Sequence, residues 1–161
     1  MLDKPGSFIF NQMKPFIVLL ISFVIALAIT KLINGEFDYL MAARIAMSIM
    51  LLFTSIAHFI YTRGMSMMIP GFVPFKTGMV YFTGVVEIAA AIGLLIPGLT
   101  LITGWLLMVF FILLLPANIY AAINHIDYEK ATYHGKGLNY LWFRVPLQIV
   151  FIAWVYISAV Q

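Results

Sequence analysis

The chain has 161 residues, of which 64% are hydrophobic and only 9% charged, with nine Lys and Arg against six Asp and Glu for a formal net charge of +3. A soluble domain carries roughly 25% charged residues, so this chain has too few to coat a water-exposed surface. Its cations are scattered singly between apolar runs, which argues against a nucleic-acid partner. The absence of cysteine excludes disulfides, thiolate metal ligands and a dithiol relay.

In chain order, apolar runs occupy 16–33, 40–61, 79–96, 99–123 and 141–160. Each reaches about 18 residues or more, enough to cross roughly 30 Å of hydrocarbon at 1.5 Å per residue. Asn34-Gly35, Pro97-Gly98 and the polar stretch 124–139 supply turn chemistry between them. The predicted architecture is an all-α membrane protein of five spans forming a single transmembrane domain over 1–161. The first run follows Lys4 and Lys14, and Ala26-Leu27-Ala28 imitates a signal-peptide cleavage site. Its apolar core is longer than that of a signal peptide, so it is expected to remain as a span.

With five crossings, Lys4, Lys14, Arg63, Lys76, Lys130, Lys136 and Arg144 fall on one side, and Lys31 and Arg44 on the other. The excess of positive charge then predicts a cytoplasmic N-terminus and an external C-terminus. The connection 62–78 is too apolar for a free loop and too interrupted by Pro70, Gly71 and Pro74 for one helix. It is expected to lie in the interface or to re-enter the bundle, covered by protein. Tyr61, Tyr81, Tyr120, Tyr140 and Trp142 fall near the cytoplasmic helix ends, where an aromatic belt belongs.

The residues that lipid should reject are the informative ones. Glu87 sits near the middle of the third run. Arg44, Ser48, Ser55 and His58 share one stripe of the second run, and Thr83 and Glu87 share a face of the third, beside the small Gly84, Ala90, Ala91 and Gly93. Asn118 follows Pro116 on the fourth run, and Arg144 and Gln148 share a face of the fifth. His58, Glu87, Asn118, Arg144, Gln148 and Arg44 are therefore the ligand-pocket candidates, in a chamber open toward the cytoplasmic side. The simplest wiring pairs Glu87 with Arg144, while Arg44 or His58 remains an alternative partner. The competing reading is a buried polar network that only fixes helix register. A histidine satisfied inside the core outweighs a metal or haem ligand at His58, so no metal site is expected. No nucleotide-binding loop, hydrolase triad or catalytically spaced carboxylate pair is present, and no catalytic residue is assigned.

His58-Phe59, Met68-Ile69-Pro70 with Pro74, Tyr81 to Glu87, Pro116-Ala117-Asn118-Ile119 and Arg144-Val145-Pro146-Leu147-Gln148 occur in an order that resembles the DoxX-like family of small bacterial membrane proteins. The resemblance runs from about residue 42 to 154. It implies a four-helix bundle, here with one additional N-terminal transmembrane helix, placed in the bacterial cytoplasmic membrane. The family takes its name from the small membrane subunit of a thiosulfate:quinone oxidoreductase. The expected function is thus an accessory or quinone-interacting subunit of a membrane oxidoreductase. Its partners would be the lipid bilayer and other membrane subunits, and its cofactors none bound covalently, with quinone as the candidate ligand. A non-enzymatic scaffold or assembly subunit is the alternative, followed by a small-solute transporter.

Overall fold

The computed structural model describes residues 5–161, with side chains from Met13 onward. Lys4, counted above with the cytoplasmic charges, lies outside the described residues. The fold is 77% helix, without strands among the described residues. Helix α1 runs Pro5–Asn34, α2 Tyr39–Ile60, the short α3 Thr62–Met67, α4 Lys76–Gly93, α5 Thr100–Ile123 and α6 Leu138–Val155, continued by a π-helical turn Tyr156–Val160.

Among the described residues, four segments are long and apolar enough to cross a membrane: Met13–Asn34, Tyr39–Ile60, Thr100–Ile123 and Leu138–Val160. Helix α4 is not among them, because Lys76 at its start, Glu87 and three glycines dilute its apolar content. It is also displaced from the predicted run 79–96. Pro97 disfavours helical geometry at the residue before it, and the helix accordingly ends at Gly93. At the other end it begins with Lys76, after Phe75 turns the chain in a left-handed conformation with φ of 53°.

Local chemistry sets the first hairpin. Gly35 ends α1 with φ of 76°, its N–H bonding the Lys31 carbonyl at 3.0 Å, and the Asp38 carboxylate caps α2 by accepting from the Met41 N–H at 2.9 Å. Helix α2 then packs along both α1 and α4, while α5 packs on α6. Gly84 lets α4 approach α2 closely, since a Cβ there would lie 3.0 Å from that of His58. The core is formed by Leu19, Met47, Met50, Leu51, Leu94, Leu107 and Val155, all fully enclosed. Outward, Val24, Ile29, Leu32, Leu106 and Leu113 are broadly exposed, a surface suited to acyl chains rather than water.

The two ends of the bundle differ. At the end holding the α6 terminus, Arg44 Nε donates to the Ser158 carbonyl at 2.6 Å and Trp154 Nε1 donates to the Ala43 carbonyl at 3.1 Å. A Cβ on Gly104 would meet Ala159 at 3.0 Å, so the helices there are closely apposed. At the opposite end, Lys14 pairs with Glu129 at 3.9 Å and the Tyr61 and Tyr128 rings meet edge to face at 6.1 Å. The α1 start, the α2 end and the 124–137 connection therefore share one end, and between it and the closed end the helices part around a cavity.

Candidate functional site

The cavity has a volume of about 570 Å³ and is bounded by α2, α4, α5 and α6, with the 62–75 connection and Tyr128 at its mouth. Its walls are mainly apolar, and its size falls within the range of small-molecule sites. His58, Glu87, Asn118, Arg144 and Gln148 all line it. Arg44 does not.

On the α2 and α4 side, Glu87 is 4% exposed, so its carboxylate must be satisfied by the protein or by a ligand. An unsupported charge at the centre of a membrane-crossing helix costs about 2.5 to 3.5 kcal/mol even on the insertion scale. Helical side chains lean toward the helix N-terminus, and this tilt carries Glu87 toward His58. Glu87 Oε1 lies 3.4 Å from His58 Nε2, and Glu87 Oε2 accepts from the Thr54 hydroxyl at 2.9 Å. The expected pairing of Glu87 with Arg144 is thus corrected: the closer imidazole on the neighbouring helix takes that place. His58 Nδ1 faces the Val80 carbonyl at 3.2 Å and Thr83 Oγ1 at 3.0 Å, and the Thr83 hydroxyl donates to the same carbonyl at 2.8 Å. The ring hydrogen has a partner on either nitrogen, the Val80 carbonyl beside Nδ1 or the Glu87 carboxylate beside Nε2. Glu87 is in this way held between the imidazole and the Thr54 hydroxyl. Such a unit sets an imidazole and a carboxylate, side-chain types used in general acid-base chemistry, side by side on the cavity wall.

The α5 and α6 side is built differently. The Tyr140 hydroxyl donates to Asn118 Oδ1 at 3.1 Å, with both residues buried. Tyr140 was expected in the interfacial belt; it faces inward instead, since Asn118 offers a buried acceptor. Trp142, two residues on, does face outward. The Arg144 guanidinium carbon sits 5.9 Å from the centre of the Tyr140 ring, a cation-π contact. Gln148 Nε2 donates to the Phe111 carbonyl, while Gln148 Oε1 is buried without a hydrogen-bond partner. That donation lies beside the Ile112 carbonyl, which Pro116 deprives of its helical donor.

Arg44 is the candidate that the structure removes from the site. It shares a stripe with His58, but at the opposite end of α2, where the Ser158 carbonyl holds it. Besides Tyr140, three contributors escaped the sequence reading. Thr54 lies four residues before His58 on the same face, so that spacing could have revealed it. Lys14 enters only through the packing of α1. Tyr128 comes from the polar connection, which braces itself through the paired Asp127 and Thr132 backbones and through Asp127 Oδ1 accepting the Glu129 N–H at 3.1 Å. Burial pushes the Tyr128 phenol up to about 12, against the opposing pull of Arg144. Gly64 is buried directly against the Tyr128 backbone, where a side chain would not fit. Among the described residues, no three His, Asp or Glu side chains gather as a metal site would require.

A family model described as a domain of unknown function, DUF8561, matches residues 47–159. The chain belongs to that family. No curated protein and no solved structure matches it. The DUF8561 segment contains His58, Glu87, Asn118, Arg144 and Gln148, whereas Arg44, all of α1 and the first turns of α2 precede it. The cavity is accordingly a feature of the DUF8561 segment, with Lys14 and Pro15 as its contributions from α1.

Proposed function

We propose that this chain is a quinone-interacting subunit of a membrane oxidoreductase, DoxX-like in its bundle, in which α1 is the additional fifth span. The observation that carries the reading is the His58–Glu87 pair on one wall of an apolar cavity, with the Tyr140–Asn118 pair and Arg144 on the other. A quinone ring needs an apolar slot with polar groups near its two oxygens, and its reduction consumes two electrons and two protons. The electrons come from a redox partner subunit, since the site offers no electron-carrying side chain. Glu87 and His58 deliver one proton to one ring oxygen and regain it from water at the basic end of the bundle, and the second proton reaches the other ring oxygen from water entering at that same open end. Arg144 holds the other oxygen and opposes the build-up of negative charge there, while Tyr140, whose hydroxyl is engaged by Asn118, braces the guanidinium with its ring. Ile56, Ile60 and Leu113 line the cavity and also face outward, which supports a side exit for an apolar tail.

In this reading α4 crosses the bilayer despite Glu87, because α2 shields that face. The cationic end formed by Lys14, Arg63, Lys76, Lys130 and Lys136 faces the cytoplasm of a bacterial cell. The test is purification in mild detergent with extraction of bound quinone, together with quinone reduction by the parent complex. Quinone is expected at near one per chain, and Glu87→Gln is expected to slow reduction at least tenfold. Protein free of quinone, with reduction unchanged in the variant, would contradict the proposal.

A further inference from the structure

Among the charged side chains that line the cavity, Lys14 is paired with Glu129 and Glu87 is engaged by His58 and Thr54. Arg144 is the exception: among the described residues no carboxylate is in ion-pair contact with it. Its close companions are the Tyr140 ring and the Tyr128 phenol, which carry no compensating charge at neutral pH, while Glu87 acts on it only from beyond ion-pair distance, with His58 and Thr54 as its own contacts. A guanidinium held within an apolar, membrane-embedded site calls for an anion, and a neutral quinone oxygen accepts a hydrogen bond without supplying one. Whatever anion reaches Arg144 passes an apolar cavity whose wall continues onto the lipid-facing Ile56, Ile60 and Leu113. A small hydrated ion would lose its water there with no other cation left unpaired to replace it.

We propose that the cavity binds an amphiphile with a single oxyanion head, the head resting on the Arg144 guanidinium and the apolar body lying in the cleft toward Ile56 and Leu113. The planar donor fork of arginine matches a carboxylate or phosphate in two-pronged fashion. Gln148, one helical turn deeper, is tied by its amide nitrogen to the Phe111 carbonyl and carries no charge, so the head's countercharge comes from Arg144. This goes beyond the quinone reading and does not depend on it; the two ligands share Arg144 and the cavity, so one excludes the other.

The experiment is equilibrium binding of oleate and of methyl oleate to the full chain in phosphatidylcholine nanodiscs, with a neutral quinone analogue measured separately in the same discs. Saturable binding of about one oleate per chain is expected, with the uncharged ester at least tenfold weaker. Arg144→Gln should weaken oleate at least tenfold, and Arg144→Lys should recover part of that loss. Equal affinity for acid and ester, or unchanged oleate binding by a folded Arg144→Gln protein, would overturn the proposal. If that variant does not fold, the acid-to-ester ratio on the unaltered chain decides. Phosphatidylglycerol added to the discs distinguishes two sources of the same head chemistry. Competition with oleate places the anion in the bilayer, its absence assigns a free carboxylate, and both outcomes support an oxyanion site.

Discussion

At the scale of single residues, the site depends on one carboxylate supported from two sides. Removing its charge in Glu87→Gln leaves His58 Nε2 facing an amide and removes a charge-assisted hydrogen bond from Thr54. Hydrogen bonds to charged groups contribute about 1.5 to 3 kcal/mol, so thermal unfolding in detergent should report a loss of that order for Glu87→Gln. Thr54→Val, which removes only the hydroxyl, should cost less, about 1 kcal/mol. Tyr128 gives a pH signature. Its phenol ionises near 10 in an unfolded chain and at about 12 when folded. Its contribution to stability is therefore fully present below the unfolded value and is lost as pH rises through 10 toward 12. An alkaline titration read by phenolate absorbance should lose its highest step in Tyr128→Phe. The polar residues of the site were legible in the sequence because hydrocarbon makes each of them expensive alone. Their partners were not, since the choice between His58 and Arg144 for Glu87 depends on distances across helices, which spacing along a helix does not encode.

At the scale of elements, the contact between α2 and α4 positions His58 against Glu87, and Gly84 sets its spacing. Gly84→Leu forces these helices apart where even a Cβ would stand 3.0 Å from His58. Overpacking of this kind costs about 1 to 3 kcal/mol, and the same variant should bind the quinone analogue at least tenfold more weakly in an equilibrium titration. Arg44 separates the clamp from the site. Breaking its bond to the Ser158 carbonyl in Arg44→Gln should lower the unfolding temperature while leaving quinone affinity unchanged. Coupled losses would mean that the closed end shapes the cavity. The helices themselves were legible to within a few residues where an Asp cap or a Gly terminator marks an end, as at Asp38 and Gly35. The third run was misplaced because its hydrophobic residues continue past Gly93 into a turn imposed by Pro97. Hydropathy registers Leu94 and Ile96 but not the backbone that carries them.

For the whole molecule, the two ends of the bundle carry opposite roles, one closed around Arg44 and Trp154, the other open and basic. The natural absence of cysteine makes the orientation directly testable. In intact cells an impermeant maleimide should label Glu36→Cys and should reach His134→Cys only after the membrane is permeabilised. The reverse pattern would invert the proposed topology. Both the membrane character and the all-helical class were plain from composition and run length. The cavity was only partly foreseeable, because α1 and the 124–137 connection add Lys14 and Tyr128 from positions with no periodic relation to the polar stripes. The central claim, that a lipid-soluble ring compound occupies this cavity, is tested most directly by photo-crosslinking with an azido-quinone in nanodiscs, with the labelled residues mapped by mass spectrometry. The account predicts adducts confined to cavity-lining positions on α2, α4, α5 and α6 and abolished by excess unlabelled quinone. Adducts spread over the outward faces at Val24, Leu32 and Leu106 and insensitive to competition would contradict it.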